Sequence, residues 1–182
     1  MPNLKDLPVG EKAPEEVSAI IEIPKGTHAK IEYDVKLEVF KLDRVLYSAV
    51  YYPTAYGFIP HTLWDDGDPL DILVLTEEPL QTGLLLQVRP VGVLVMTDEK
   101  GSDSKILSVP VFDPRYTEVN EIDAVPKHFL REAEHFFETY KELEGKSVKS
   151  FGWEESHVAK AAIMKAIGAY NDKRASLKPK GD

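Results

Sequence analysis

The hydrophobic period of the sequence changes about two thirds of the way along the chain. Up to about residue 111 it consists of short segments typical of β-strands, separated by turns rich in Pro, Gly and Asp. These predicted strands cover residues 19–23, 30–35, 37–40, 45–50, 71–75, 84–95 and 105–111. Short strands at this spacing predict a barrel or a strongly coiled sheet.

The last third of the chain has a helical period instead. Phe129, Ala133, Phe136 and Tyr140 recur at helical spacing, and Gly145 stands where a helix C-cap belongs. A second helix is predicted over about 155–171, with one apolar stripe that would lie against the strands. Strands first and helices last predict the α+β class.

Length and composition favour one domain. A chain of 182 residues, 43% of them hydrophobic, can bury a sizeable core. We expect 1–182 to form a single domain, with a polar arm at about 1–17 and a frayed tail at about 173–182. The chain has no cysteine, which excludes disulfides and thiolate chemistry.

The charge balance excludes some partners. The formal net charge is -9, whereas nucleic acids are held through concentrated positive charge, so we expect no nucleic-acid partner.

The opening residues lack the apolar segment of a signal peptide, and no run of 18 apolar residues suggests a membrane span. We therefore expect a cytoplasmic protein with no membrane partner.

Four aspartates lie at the start of a predicted buried strand in "LWDDGDPLDILVL", residues 63–75. Asp65, Asp66, Asp68 and Asp71 lie so close in sequence that their mutual repulsion requires solvent, hydrogen-bond donors or cations. Gly67 and Pro69 between them are typical of a turn. Such a turn can direct several carboxylates at one point.

A second acidic group follows the apolar run "VGVLVM". Asp98, Glu99 and Asp103 surround a glycine-containing loop in "MTDEKGSDSK". Solvated loops usually mix charges of both signs, whereas these two clusters hold mainly one sign. Carboxylates without His or Cys select hard cations such as Mg²⁺ or Mn²⁺.

Two segments before the acidic clusters have two interpretations each. In "KIEYD" the alternation puts Lys30, Glu32 and Asp34 on one face, which a solvated sheet face also explains. In "RVLYSAVYYPTAYGFIPHTL", Arg44 precedes tyrosines that either pack in a core or form a phosphate cradle together with the guanidinium.

Two other known motifs that contain aspartates do not fit this segment. A calcium loop starting at Asp66 would need Gly at its sixth position, which is Asp71, and an oxygen ligand at its fifth, which is Leu70. An aspartyl-nucleophile phosphatase would place Asp-x-Asp directly after an apolar strand, but "IPHTLWD" stands there.

With these motifs together, residues 18–170 closely resemble the family I soluble inorganic pyrophosphatases. The most specific motif is "DGDPLD" at 66–71. "EIPKGTHAKIEYD", "YYPTAYGFIP", "RPVGVLVMTDEKGSDSK" and "HFFETYKELEGK" accompany it in the family's order. The resemblance implies an OB-like five-stranded β-barrel with two main helices packed alongside, in a cytoplasmic homohexamer of the microbial type.

The resemblance also implies a function and a set of site residues. The activity is Mg²⁺-dependent hydrolysis of pyrophosphate to phosphate, with several Mg²⁺ ions in each site and Mn²⁺ or Zn²⁺ as possible substitutes. Asp68 matches the general base. The metal ligands are Asp66, Asp71, Asp98, Asp103 and Glu32, supported by Glu22, Glu99 and Lys105. The residues that bind substrate or product are Lys30, Arg44, Tyr52, Tyr56, Tyr140 and Lys141.

The competing interpretation is a binding module, an OB-like barrel that holds metal, nucleotide or nucleic acid without turnover. The acidic balance opposes nucleic acid, and the sequence contains no P-loop for a nucleotide switch. Release of phosphate from pyrophosphate separates the enzyme from the binding module.

Overall fold

Nine strands and two α-helices make up the computed structural model, which describes residues 3–99 and 101–177. The strands are β1 (Val17–Ile23), β2 (Ala29–Asp34), β3 (Val39–Val45), β4 (Ala55–Phe58), β5 (Asp71–Val74), β6 (Leu85–Asp98), β7 (Gly101–Ser102), β8 (Lys105–Pro110) and β9 (Lys149–Glu155). The α-helices are α1 (Lys127–Thr139) and α2 (Ser156–Leu177). Short 3-10 turns cover Leu4–Asp6, Pro114–Tyr116, Ile122–Ala124 and Glu142–Glu144.

Five strands close into a ring in the order β1-β4-β5-β8-β6, because β6 pairs back with β1. Strands β5 and β8 are parallel, whereas the other pairs in the ring are antiparallel. Strand β1 reads VSAIIEI and is buried at six of its seven positions, as expected of a strand covered on both faces. The predicted α+β class and five-stranded barrel are confirmed.

The 14-residue strand β6 connects most of the sheet. Its first residues pair with β1, and its later ones pair with β8 on one side and β9 on the other. The pairing with β8 shifts register between Pro90 and Gly92, where proline supplies no backbone N–H to the ladder. This bulge lets one strand serve both the ring and the flanking sheet.

Strands β2 and β3 form a separate two-stranded sheet. Lys30 lies opposite Arg44 across it, and Glu32 lies opposite Lys41. Lys30 and Arg44, one basic residue from each strand, therefore lie side by side in this short antiparallel hairpin.

The two α-helices cover different parts of the barrel. Helix α2 buries Ala159, Ile163 and Ala166 against barrel residues, whereas Phe136 and Phe137 of α1 pack in a second cluster. Each fully buried large apolar side chain contributes roughly 1.5–3 kcal/mol to folding. Among the described residues, no helix is both long and apolar enough to cross a membrane.

Several predicted boundaries were wrong. Residues 45–50 do not form a strand, because β3 ends at Val45 and Leu46 then enters the core. Strands β4, β7 and β9 were not predicted. Gly145, at φ 72°, caps the 3-10 turn Glu142–Glu144 rather than α1, which ends at Thr139.

The predicted arm and tail also need correction. Leu4 and Leu7 pack against the cluster of Ile20, Tyr33 and Phe58, so these arm residues belong to the folded body. Helix α2 continues to Leu177, so residues 173–177 are helical rather than frayed. Residues 1, 2 and 178–182 of the predicted arm and tail lie outside the described residues.

Candidate functional site

A cavity of about 400 Å³ opens at one side of the barrel. Its walls come from β1, the β2–β3 hairpin, the turn before β5, the β6–β8 connection and the segment after α1. Fourteen of the fifteen predicted site residues line it: Glu22, Lys30, Glu32, Arg44, Tyr56, Asp66, Asp68, Asp71, Asp98, Glu99, Asp103, Lys105, Tyr140 and Lys141.

Lys105 lies at the inner wall of the cavity and is only 2% exposed. Its Nζ donates to Oδ2 of Asp71 at 2.6 Å and to Oδ1 of Asp103 at 2.5 Å. The parallel pairing of β5 with β8 puts Asp71 directly opposite Lys105. Nζ also lies 5.7 Å from the ring centre of Tyr56 and 5.4 Å from that of Phe137, within range of a cation–π attraction.

Burial and these ion pairs shift the pKa of Lys105 and the pKa of Asp71. Burial acts to lower the pKa of Lys105, but Asp71 and Asp103 raise it above its ordinary value. Burial raises the pKa of Asp71, and Asp103 adds to that rise while Lys105 opposes it. The lysine therefore remains charged and holds two partly buried carboxylates together.

Glu22 of β1 is a second buried carboxyl in the cavity wall. Its Oε1 accepts a hydrogen bond from the backbone N–H of Tyr33 at 2.8 Å. Burial raises the pKa of Glu22 to about 8, against the effect of that hydrogen bond. Asp71 and Glu32 raise the pKa further.

Two cationic side chains of the hairpin, Lys30 and Arg44, line the cavity, and both are paired with carboxylates. Lys30 donates to Glu32 and, at 3.4 Å, to Asp43. Arg44 donates to Asp43 and, from Nε, to Oε1 of Glu144 at 2.8 Å. Glu144 thus ties the guanidinium to the 3-10 turn after α1, which orients it toward the cavity.

The opposite wall carries two further ion pairs. Nζ of Lys141 donates to Oδ2 of Asp98 at 2.9 Å, with both side chains largely buried. Nζ of Lys146 lies 3.7 Å from Oε1 of Glu99. The end of β6 is therefore joined to the segment after α1 through opposite charges.

A tight turn positions the first acidic cluster. The N–H of Trp64 donates to the carbonyl of Asp68 at 2.7 Å, and the N–H of Asp68 donates to Oδ1 of Asp66 at 3.1 Å. Gly67 has φ 92°, a conformation that side chains rarely adopt. Asp65, in contrast, points to α2 and pairs with Lys165 on the surface.

Tyr52 is the predicted residue that does not line the cavity. Its ring is 2% exposed and packs 4.8 Å from the ring centre of Phe136 and 5.6 Å from that of Tyr56. Burial raises the pKa of its hydroxyl well above the ordinary value. The structure therefore places Tyr52 in the core behind Tyr56, outside the residues that line the cavity.

Three charged residues in the lining were missed from the sequence: Lys5, Asp43 and Lys146. Asp43 directly precedes Arg44, and Lys146 follows Lys141 in the motif "YKELEGK", so their neighbours gave a usable signal. Lys5 lies in the arm, where no local pattern indicated a role.

Nine carboxylates and six cationic side chains line the cavity. Seven of these carboxylates are paired with lysines of the lining: Asp68 with Lys5, Glu32 and Asp43 with Lys30, Asp71 and Asp103 with Lys105, Asp98 with Lys141, and Glu99 with Lys146. Among residues 3–99 and 101–177, no group of three or more Asp, Glu or His side chains stands close enough together to hold a metal ion. Asp71 and Asp103 converge on Nζ of Lys105, and Glu32 and Asp43 converge on Nζ of Lys30.

Comparisons with known proteins identify the family of this chain. A family model described as inorganic pyrophosphatase matches residues 19–171. The chain belongs to the inorganic pyrophosphatase family. The inorganic pyrophosphatase of Thermus thermophilus is 50% identical over 173 residues, which cover 93% of this chain and 99% of that protein. That of Methanosarcina acetivorans is 50% identical over 156 residues, covering 86% and 93%.

The fold of this pyrophosphatase chain is likewise that of solved relatives. The crystal structure of the Thermus thermophilus inorganic pyrophosphatase superposes with a TM-score of 0.90 at 49% identity, covering 93% of this chain and 99% of that one. This confirms the family that the sequence motifs predict, and with it the prediction of an enzyme.

Proposed function

We propose that this chain hydrolyses inorganic pyrophosphate to two orthophosphate ions, with Asp68 as the general base. The observation that carries the proposal is the cavity itself, where carboxylates from separate segments face lysines and an arginine. Pyrophosphate is a dense polyanion and water is a poor nucleophile. Hydrolysis therefore requires neutralisation of charge, in-line positioning and a proton acceptor.

Mg²⁺ is the proposed cofactor, and its ligands are Asp66, Asp71, Asp98, Asp103 and Glu32, supported by Glu22 and Glu99. The donor set fits a hard cation, since it consists of carboxylates without His or Cys. The excess of carboxylates over cations in the lining supports several ions in each site, with Mn²⁺ or Zn²⁺ as possible substitutes. When bound, such ions neutralise substrate charge and make water more acidic.

The lysine pairs suggest how the carboxylates remain in place before metal arrives. Lys105 holds Asp71 and Asp103, and Lys141 holds Asp98. With metal bound, Asp71, Asp103 and Asp98 would hold the ions, and the ammonium groups of Lys105 and Lys141 would be available to phosphate oxygens.

Substrate and product oxygens are bound by the remaining polar residues: Lys30, Arg44, Tyr56, Tyr140 and Lys141. The planar guanidinium of Arg44 suits bidentate contact with a phosphate, and a tyrosine hydroxyl donates without adding charge. Asp68 is 62% exposed, so its carboxylate is accessible to the attacking water. In this role it accepts the proton of that water as its oxygen attacks phosphorus.

The proposed setting is a cytoplasmic homohexamer that binds neither nucleic acid nor membranes. Large apolar side chains on the described surface support self-association, among them Leu42 at 58%, Tyr47 at 66% and Phe112 at 87% exposure. Light scattering coupled to size-exclusion chromatography gives the subunit number directly, and a monomer at micromolar concentration would contradict the hexamer.

The activity is tested by incubating the protein with pyrophosphate and Mg²⁺ and measuring free phosphate. We expect two phosphate ions from each pyrophosphate, loss of activity in excess chelator, and recovery when Mg²⁺ is restored. Binding of pyrophosphate without phosphate release would instead indicate a binding module. Asp68→Asn serves as the low-activity control for contaminating phosphatase.

A further inference from the structure

Lys5 reaches the cavity from the N-terminal arm. Its Nζ donates to Oδ1 of Asp68 at 3.0 Å, although 63 positions separate the two residues in the sequence. The side chain of Lys5 is 23% exposed, whereas that of Asp68 is 62% exposed. The lysine is thus the more firmly enclosed partner, and the aspartate is the one that projects into solvent.

The arm that carries Lys5 is fixed on both sides of it. The N–H of Leu4 donates to the hydroxyl of Tyr33 at 3.3 Å, and the carbonyl of Lys5 accepts from the N–H of His61 at 2.8 Å. Leu4 also packs in the apolar cluster that contains Tyr33. A lysine held by its own backbone loses less conformational entropy when it forms an ion pair than a lysine on a free arm.

Helix α2 provides the remaining support. The hydroxyl of Tyr170 donates to Asp6, and the centre of the Tyr170 ring lies 4.2 Å from the centre of the His61 ring. Nε2 of His61 lies 3.0 Å from Oδ1 of Asn171. The arm, the segment that leads into the aspartate turn and the end of α2 therefore form one connected set of contacts.

The backbone of Asp68 is fixed by its turn, but the turn does not fix its carboxylate. Trp64 and Asp66 contact the backbone of Asp68 rather than its side chain. In the described ranges 3–99 and 101–177, Lys5 is the one ion-pair partner of the Asp68 carboxylate. The orientation of this carboxylate thus depends on Lys5.

We propose that Lys5 is a positioning residue of this active site, which holds the carboxylate of Asp68 in the orientation needed to accept a proton from water. The inference rests on the proposed function, in which Asp68 is the general base. Lys5 acts through Asp68 and need not touch the substrate. Its contribution belongs to kcat, because a wrongly oriented base still permits pyrophosphate and metal to bind.

The expected effect is modest, since the pair is partly exposed to solvent. Exposed ion pairs contribute up to about 1 kcal/mol, so Lys5→Met should lower kcat by about two- to fivefold. KM for pyrophosphate and the Mg²⁺ concentration needed for half activity should stay within about twofold of the parent values. Lys5→Arg keeps a cation within reach of the carboxylate and should restore most of kcat.

Lys12→Met is the matched control on the same arm. Lys12 is 69% exposed and pairs with Glu16 four residues along, away from the cavity. This variant makes the same chemical change and should leave kcat unchanged. Thermal unfolding of all three variants measures any loss of folding stability separately from kinetics.

A double variant separates this inference from the general-base assignment. If Lys5 acts through Asp68, Lys5→Met should produce no further loss of kcat in an Asp68→Asn background. Full kcat in Asp68→Asn would overturn the base assignment itself. Loss of kcat in Asp68→Asn but not in Lys5→Met would overturn the Lys5 proposal alone.

Three other results would also contradict the Lys5 proposal. A rise in KM with unchanged kcat would make Lys5 a substrate ligand instead. Equal loss in Lys5→Met and Lys5→Arg, accompanied by a lower unfolding temperature, would show a role only in folding. If Lys5→Met lowers kcat by the same factor in the parent protein and in the Asp68→Asn variant, Lys5 acts independently of Asp68.

Discussion

Replacing Lys105 by methionine should destabilise the metal-free protein strongly. Lys105 is 2% exposed and is the shared partner of Asp71 and Asp103. Methionine fills a similar volume, so the loss comes mainly from leaving two partly buried carboxylates without their counter-charge. Removing one partner of a buried ion pair typically costs about 3–5 kcal/mol, equivalent to roughly 6–20 °C in unfolding temperature for a chain of this size.

Mg²⁺ should reverse part of this loss. With the ammonium group gone, Asp71 and Asp103 present uncompensated negative charge, so added Mg²⁺ should raise the unfolding temperature of Lys105→Met more than that of the parent. Ligand binding to the folded state alone stabilises it by mass action. The assay is thermal unfolding at one fixed protein concentration, first in excess chelator and then across a Mg²⁺ titration.

Two variants serve as controls for Lys105→Met. Adding Asp103→Asn removes one of the orphaned charges and should recover part of the stability in chelator. Lys12→Met, at an exposed ion pair, should change the unfolding temperature little. A loss below about 1 kcal/mol in chelator, or an equal response of variant and parent to Mg²⁺, would refute the role of Lys105 as the internal counter-charge.

Two further predictions concern the general base and the start of α2. Asp68→Asn should lower kcat by about 10²- to 10⁴-fold with little change in Mg²⁺ requirement, whereas Asp71→Asn should raise that requirement and recover activity in excess Mg²⁺. Full kcat in Asp68→Asn, or the same Mg²⁺-rescuable loss in both, would contradict this division. Glu121 accepts from Oγ of Ser156 at 2.6 Å and from its N–H at 3.2 Å, and these bonds lower the pKa of Glu121. Because its folded-state pKa lies below the unfolded value, this stability is present above about pH 4.5 and is lost as pH falls. Glu121→Gln should therefore cost about 0.5–1 kcal/mol at pH 7 in urea unfolding, and a difference that persists undiminished at pH 3 would contradict the mechanism.

Most of the acidic part of the site was predictable because its residues are close in sequence. Asp66, Asp68 and Asp71 share one turn whose Gly and Pro indicate its shape. Strand alternation likewise indicated the face that carries Lys30 and Glu32. Local patterns of this kind are set by backbone geometry over a few residues, so they survive without knowledge of the fold.

Lys5, which the sequence analysis missed, depends on a contact that is distant in sequence. Lys5 meets Asp68 across 63 positions, and the arm that carries it has no periodic pattern. Tyr52 and Tyr56 belong to one tyrosine-rich motif, yet only the fold decides that Tyr52 packs on Phe136 and Tyr56 faces the cavity. Sequence separation, rather than chemistry, limited the prediction of the site.

The sequence analysis missed strand β9 for a different reason. Strand β9 reads KSFGWEE, mostly polar or exposed, with Gly152 at φ 93°, so it lacks the alternation of a half-buried strand. Its pairing with β6 is fixed by backbone hydrogen bonds. The segment 46–50 has the opposite property, since it is apolar enough to predict a strand but leaves the sheet after Val45.

The long strand β6 also determines when the molecule can be completed during synthesis. Val17 of β1 pairs with Val88 of β6. This edge of β1, an almost fully buried strand, therefore stays unpaired until about 70 further residues have been translated. At about 5–20 residues per second, that interval is roughly 4 to 14 s. Strand β9 pairs with the same strand and emerges later still. A nascent chain stalled between β4 and β6 would expose an apolar strand edge, the form most prone to aggregate or to recruit a chaperone.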